Sequence, residues 1–229
     1  MIPRELLEQL GMPLVGDSRV QFSCQQCGAC CQHRATDPII LTGYDMYQLA
    51  GALDKESTFD LITEGIVRVQ SSRQGAPVCV LETTPEGSCI LLDGTRCSVH
   101  SKKPAVCALY PFGRVADAEG NYGYFLPKGD VCDGLGLGEE RSFSRWLNQA
   151  KITQQTKYHA AYQVAKIEVI SVLLNVKYKW YVKKVFRQTL WALYCNYDPK
   201  QDYLAQLRAN AQNLRLILAK IPLKKHQLI

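Results

Sequence analysis

No stretch of this 229-residue chain approaches the roughly 18 consecutive apolar residues that cross a bilayer. The longest apolar run, Val169-Ile170-Ser171-Val172-Leu173-Leu174, reads as a buried helix segment. The start has no cationic segment followed by an apolar core; Met1 to Leu10 carries Glu5 and Glu8 and reads as a short amphipathic helix. The expected address is therefore the cytoplasm. Neither a Ser/His/Asp constellation nor a pair of carboxylates stands out, so nothing points to a hydrolase. Internal repeats and low-complexity segments are missing. Glycine and proline are both absent between Gly138 and Pro199, and acidic residues are scarce beyond residue 144.

Cysteine is what the chain has in plenty, ten in all. In a reducing compartment disulfides are rare, so clustered thiols signal metal or redox chemistry; a disulfide-stapled secreted domain is the alternative, and the missing leader weighs against it. The densest run is Cys24-Gln25-Gln26-Cys27-Gly28-Ala29-Cys30-Cys31. Two residues between thiols let a tight turn bring both sulfurs to one centre, and Gly28 supplies the backbone freedom for that turn. Iron–sulfur loops repeat this gap and take a further ligand from a distant part of the chain. Neighbouring side chains on an extended backbone diverge, so Cys30 and Cys31 are expected to serve two adjacent sites.

Eight thiols form the candidate constellation: Cys24, Cys27, Cys30, Cys31, Cys89, Cys97, Cys107 and Cys132. That is the ligand count of two four-thiolate sites, and a single mixed site with spare thiols stays open. Zinc and iron–sulfur both accept four thiolates. Zinc ribbons usually pair CxxC with CxxC, whereas the later thiols here are widely spaced, which tilts the expectation to one or two iron–sulfur clusters of the 4Fe-4S type, with zinc as the alternative. Cys79 and Cys195 read as small buried hydrophobes. His33 and His100 could replace a thiol, but an outer or simply polar role fits better because the thiolates fill the count. His159 and His226 have no ligand partners nearby in sequence.

The expected fold class is α+β: a small cysteine-rich, metal-stabilised domain of short strands and helices over residues 1–144, then an all-α basic helical extension over 145–229. Thr42-x-x-Asp45 opens a helix to about Leu53. Ile66 to Val69, Val78 to Leu81, Cys89 to Leu92 and Tyr122 to Leu126 read as strands, with an Asp93-Gly94 turn that lets Cys89 face Cys97. Asp133-Gly134-Leu135-Gly136-Leu137-Gly138, before a helix beginning at Glu139-Glu140, is a weak nucleotide signal, because two acids in a first turn repel phosphate. The better reading is that the glycines let the chain wrap close to a cluster, with backbone N–H groups aimed at its sulfurs. Two or three helices follow, breaking near Gln154 and Asn175. Asp198-Pro199 restarts a helix whose Leu204, Leu207, Ala211, Leu214, Leu218 and Ile221 form an apolar seam.

Charge divides the chain. Residues 1–144 hold 12 Lys/Arg and 18 Asp/Glu, whereas 145–229 hold 15 and 3. Such a basic half implies an anionic partner, an acidic protein or nucleic acid, with a peripheral membrane contact also in view. On a helical wheel Tyr178, Tyr181, Val182, Val185, Phe186, Leu190 and Leu193 form a core stripe. Trp180, Lys184, Arg187 and Trp191 fall opposite and form the candidate partner-binding face. Because Trp is usually well buried, the favoured expectation is that a neighbouring helix covers both rings.

The segment Phe22-Ser23-Cys24-x-x-Cys27-Gly28-x-Cys30-Cys31 resembles the opening of the CxxCxxCC cysteine-cluster family, YkgJ-like proteins described as zinc- or iron-chelating. Gly87-Ser88-Cys89, Cys97-Ser98-Val99-His100 and Lys103-Pro104-x-x-Cys107-x-x-Tyr110-Pro111-Phe112 resemble its second block in order. Ile40-Leu41-Thr42-x-x-Asp45 and Cys132-x-Gly134-x-Gly136-x-Gly138 are similar to further landmarks. His100, Lys103 and Ala108 stand where relatives usually have Tyr, Arg and Arg. The resemblance implies a metal-binding protein, and it extends to flagellin lysine methylases, hence to methyl transfer from S-adenosylmethionine to protein lysine. The readings in play are an iron–sulfur protein with a redox or cluster-dependent role, a zinc-stabilised binding module, and a metal or cluster delivery or assembly factor.

Overall fold

The computed structural model describes residues 2–129 and 132–224; His226 lies outside the described residues. In chain order come α1 (Arg4–Leu10), β1 (Gly11–Leu14), β2 (Arg19–Phe22), β3 (Ile40–Leu41), α2 (Gly43–Ala52), α3 (Asp60–Thr63), β4 (Val67–Ser71) and β5 (Pro77–Leu81). Then follow β6 (Leu92–Asp93), β7 (Arg96–Cys97), α4 (Ala105–Leu109), β8 (Gly113–Ala116), β9 (Tyr122–Pro127) and β10 (Leu135–Ser142). The last part is helical: α5 (Phe143–Gln149), α6 (Ile152–Asn175), α7 (Trp180–Leu190) with a π-helical turn over Trp191–Cys195, and α8 (Tyr203–Leu218). Short strands in small sheets with a helical C-terminal region make the class α+β.

Two compact units share the chain, one of Met1–Ile39 with Thr83–Ala160 and the other of Ile40–Glu82 with Ala161–Ile229. This division differs from the one expected at residue 144. The segment 40–82 belongs with the C-terminal helices because α2 packs on the π-helical turn and α7 packs on β5. Residues 145–160 stay with the cysteine-bearing part because Trp146 and Ile152 fill its core.

In the first unit β9 pairs antiparallel with both β1 and β8, setting Met12 opposite Leu126 and Arg114 opposite Tyr124. β10 pairs with β2, Leu135 opposite Phe22 and Arg141 opposite Val20. Glu139 and Glu140 therefore lie in a strand, and the expected helix begins only at Phe143, where the Ser142 hydroxyl accepts from the Arg145 N–H. Phe22, Phe112, Phe143 and Trp146 meet in the core, the Phe112 and Trp146 rings edge-on at 4.7 Å. Such pairs add about 0.5–1.5 kcal/mol each beyond area burial. The expected strand at Cys89 to Leu92 is mostly turn, reduced to a bridge from Cys89 to Thr83 and the two-residue β6–β7 hairpin.

In the second unit the sheet runs β3-β5-β4. Thr42 caps α2 as read from the sequence: its hydroxyl accepts from the Asp45 N–H (3.1 Å), while the Asp45 carboxylate accepts from the Thr42 N–H (2.8 Å). The cap of α8 is Asp202, four residues beyond the expected Asp198. Leu207, Ala211, Leu214 and Leu218 bury its seam. Tyr44, Tyr162, Tyr194, Tyr197 and Tyr203 are all buried here, and the Tyr194 hydroxyl donates to the Pro77 carbonyl at 3.2 Å.

At Gly43 the start of α2 passes so close to the π-helical turn that a Cβ would lie 2.1 Å from the Leu193 carbonyl oxygen. A backbone atom cannot swing aside as a side chain does. Gly43→Ala should therefore destabilise the second unit by at least about 1–3 kcal/mol, the usual cost of overpacking, read as a lower urea midpoint. An unchanged midpoint would show that this approach is not tight.

Candidate metal centre

All eight candidate thiols fall in the first compact unit, whereas Cys79 and Cys195 fall in the second. The two outliers are almost fully buried, and burial raises both thiols, Cys195 to about 12. They are core residues, as the sequence suggested. All ten cysteines are free thiols.

The site is built from the ends of paired strands. β2 leads directly into the loop of Cys24 and Cys27, and β10 follows directly on Cys132. The Phe22–Leu135 pairing and a Ser23 N–H bond to the Gly134 carbonyl (3.0 Å) therefore bring the first and last thiols of the set together. The Gly134 N–H points at the Cys132 sulfur, 3.4 Å away, as the glycine-rich reading expected. Gly28 has φ +77°, and a Cβ there would sit 2.8 Å from the Thr95 carbonyl oxygen, so the thiol loop lies against the β6–β7 hairpin. Cys30 and Cys31 then form a 3₁₀ turn closed by the Cys31 N–H on the Gly28 carbonyl (2.8 Å).

A second set of bonds ties in the later thiols. The Cys31 carbonyl accepts from the Cys89 N–H (2.7 Å), and the Gly87 carbonyl accepts from the Arg34 N–H (2.7 Å). Cys97 lies on β7, and Cys107 lies on α4. Cys24 and Cys27 are exposed, Cys31 and Cys89 buried, and the other four candidates half-buried.

Electrostatics sort the thiols into neighbourhoods. Burial raises Cys132, the Gly134 N–H opposes that, and the thiols acting on it are Cys27, Cys24 and Cys30. Cys31 is raised by its bond to Cys30, by burial, and by Cys30, Cys89 and Cys107. Burial raises Cys89, the Leu91 N–H opposes it, and Cys97 and Cys30 raise it further against the charge of Arg34. Cys24, Cys27 and Cys132 thus share one neighbourhood and Cys31, Cys89, Cys97 and Cys107 another, while Cys30 acts on Cys132, Cys31 and Cys89 alike. Cys30 and Cys31 bond to one another where the sequence reading had them diverge, because the 3₁₀ turn replaces an extended backbone. The Cys31 bond lowers Cys30 to about 6, helped by Lys103 and Arg34.

Arg34 is the residue that the sequence reading passed over. Its guanidinium bonds to the Cys30 carbonyl (2.8 Å) and pairs with Asp37, and its charge favours the ionised forms of Cys30 and Cys89. A cation three places after a four-thiol run was the available signal. His33 and His100 are both exposed. Among the described residues, no three His, Cys, Asp or Glu side chains close into one metal-holding group. The donor chemistry nevertheless suits a soft metal: eight free thiols in one unit, one already acidic, with N–H groups and cations beside them.

Residues 23–133 match the family model CxxCxxCC, described as "Putative zinc- or iron-chelating domain". Over these residues, a little under half of the chain, the sequence is similar to that domain family. No curated protein and no solved structure matches the chain. The CxxCxxCC match takes in all eight thiols and continues through 40–82, the segment that packs in the second unit.

The candidate partner-binding face lies on α7 in the second unit. Trp180 and Trp191 are 66% and 49% exposed, so among the described residues no neighbouring helix covers them, contrary to the favoured expectation. Lys184 and Arg187 are exposed beside them. Of the expected core stripe, Val185 and Leu193 are fully buried, whereas Tyr178 is exposed. Among the described residues no helix is long and apolar enough to cross a membrane.

Cys30 ionises near pH 6 in the metal-free chain, so its alkylation rate should climb through that pH and level off by neutrality. Mass spectrometry of the modified peptide checks this. A rate still climbing steeply in the alkaline range, as for an ordinary thiol, would contradict the assignment.

Proposed function

We propose that the chain binds two iron–sulfur clusters of the 4Fe-4S type and works as a redox or cluster-dependent protein. Cys24, Cys27, Cys30 and Cys132 would hold one centre, and Cys31, Cys89, Cys97 and Cys107 the other. The observation that supports this reading is the gathering of all eight thiols in one compact unit, with Cys24, Cys27 and Cys30 acting on Cys132 and Cys89 and Cys107 acting on Cys31. Such a cluster, when bound, supplies reversible one-electron transfer.

The chain's own groups suit that load. Arg34 and Lys103 offset the negative charge of gathered thiolates. N–H groups of Gly134 and Leu91 draw electron density from the Cys132 and Cys89 sulfurs, which favours the reduced state of whatever they ligate. The half-buried and buried thiols restrict water at the inner side of each set, whereas Cys24 and Cys27 face solvent and offer an edge for electron exchange.

Protein purified without oxygen should be brown and contain iron and acid-labile sulfide in equal amounts, with a broad thiolate-to-iron absorption band. Colourless protein that releases zinc to a chelator would replace this reading with a structural zinc site.

A further inference from the structure

The exposed face of α7 is a surface with a definite chemistry. Between Glu168 and Asp198 there is no acidic residue, while Lys177, Lys179, Lys183, Lys184 and Arg187 all fall in that interval and are all exposed. Glu168 itself is held by Arg215 at 2.8 Å. No Asp or Glu follows Asp202, and the segment after α8 adds Lys220 and Lys224. The occupant of this face is therefore anionic.

Its apolar residues decide which kind of anion. At the N-terminal end of α7, Leu174, Tyr178, Trp180 and Leu223 are 59%, 43%, 66% and 46% exposed. The Val176–Leu223 bridge and the Lys177 N–H bond to the Pro222 carbonyl (2.9 Å) hold the two chain segments together there. At the other end Trp191 lies edge-on to Phe59 at 5.8 Å, both exposed. Cations occupy the helix between these two apolar ends, which Trp180 and Trp191 mark about 16 Å apart at the α-helical rise. Base stacking asks for free aromatic faces, and the Trp180 ring is already stacked on Tyr181 at 3.8 Å and near-parallel to Tyr178. Indole rings at both ends with lysines and an arginine between them match the headgroup layer of a bilayer, where aromatics sit at the interface and cations meet anionic lipid. Beside this face, Val182 and Phe186 floor a cleft of about 530 Å³ edged by Lys183 and Arg187, so the same apolar-with-cation pattern continues around the helix.

We infer that α7 and the adjoining 174–180 and 220–224 segments dock the protein on an anionic lipid bilayer, the helix lying in the plane of the interface. This inference is independent of the metal reading. The test is vesicle flotation of the full chain with phosphatidylcholine alone and with about one-third phosphatidylserine added. Binding should need the anionic lipid and should fall steeply with salt. Trp180→Ala with Trp191→Ala, and separately Lys183→Gln with Lys184→Gln, should each weaken binding by about tenfold or more at unchanged melting temperature, since all four side chains are exposed. Tryptophan emission should shift to shorter wavelength and be quenched by brominated lipid, which Trp146, buried in the first unit, cannot report. Equal binding to both vesicle types, binding unaffected by either pair of substitutions, or binding of a single-stranded oligonucleotide without any vesicle binding would each overturn the inference.

Discussion

Thiolates repel one another, and the fold of the first unit depends on backbone pairing strong enough to hold them close. The pairing of Phe22 with Leu135 draws Cys24 and Cys132 together, and the bond from the Cys89 N–H to the Cys31 carbonyl joins the second pair of segments. Each is an ordinary main-chain hydrogen bond, worth about 1 kcal/mol net. They suffice because the aromatic core of Phe22, Phe112, Phe143 and Trp146 lies directly behind β2 and fixes where its end points. The thiols sit on loops and strand ends, and the rigid part of the unit decides where those loops start.

Charge then decides how the loops behave. Cys30 is held ionised by the Cys31 thiol, Lys103 and Arg34, while its neighbours are pushed the other way by burial and by one another. A metal ion resolves this opposition, since ligation expels the protons of Cys31, Cys89 and Cys132 and replaces repulsion between sulfurs with bonds to one cation. Metal binding and the ordering of these loops are therefore coupled, and acid should oppose both.

Much of this was legible in the chain. The isolated contexts of Cys79 and Cys195 marked them as core residues apart from the clustered candidate thiols, and Thr42 with Asp45 marked a helix start, because these are local signals. The interleaving of the units was not legible. It rests on α2 packing against the π-helical turn and on α7 packing against β5, and neither leaves a mark in composition. Glu139 and Glu140 looked like the first turn of a helix, yet the pairing with β2 holds them in a strand. The exposure of Trp180 and Trp191 ran against a general tendency, and only the packing of neighbouring elements could reveal it.

The central claim is that the eight thiols serve two centres, each held by four of them. Metal content of single and double Cys→Ser variants, prepared without oxygen, tests it most directly. Cys132→Ser and Cys107→Ser should each remove about half of the bound metal, the two together nearly all of it, and Cys79→Ser none. If either single replacement emptied the protein, or if both together left its metal untouched, the division into two sites would be wrong.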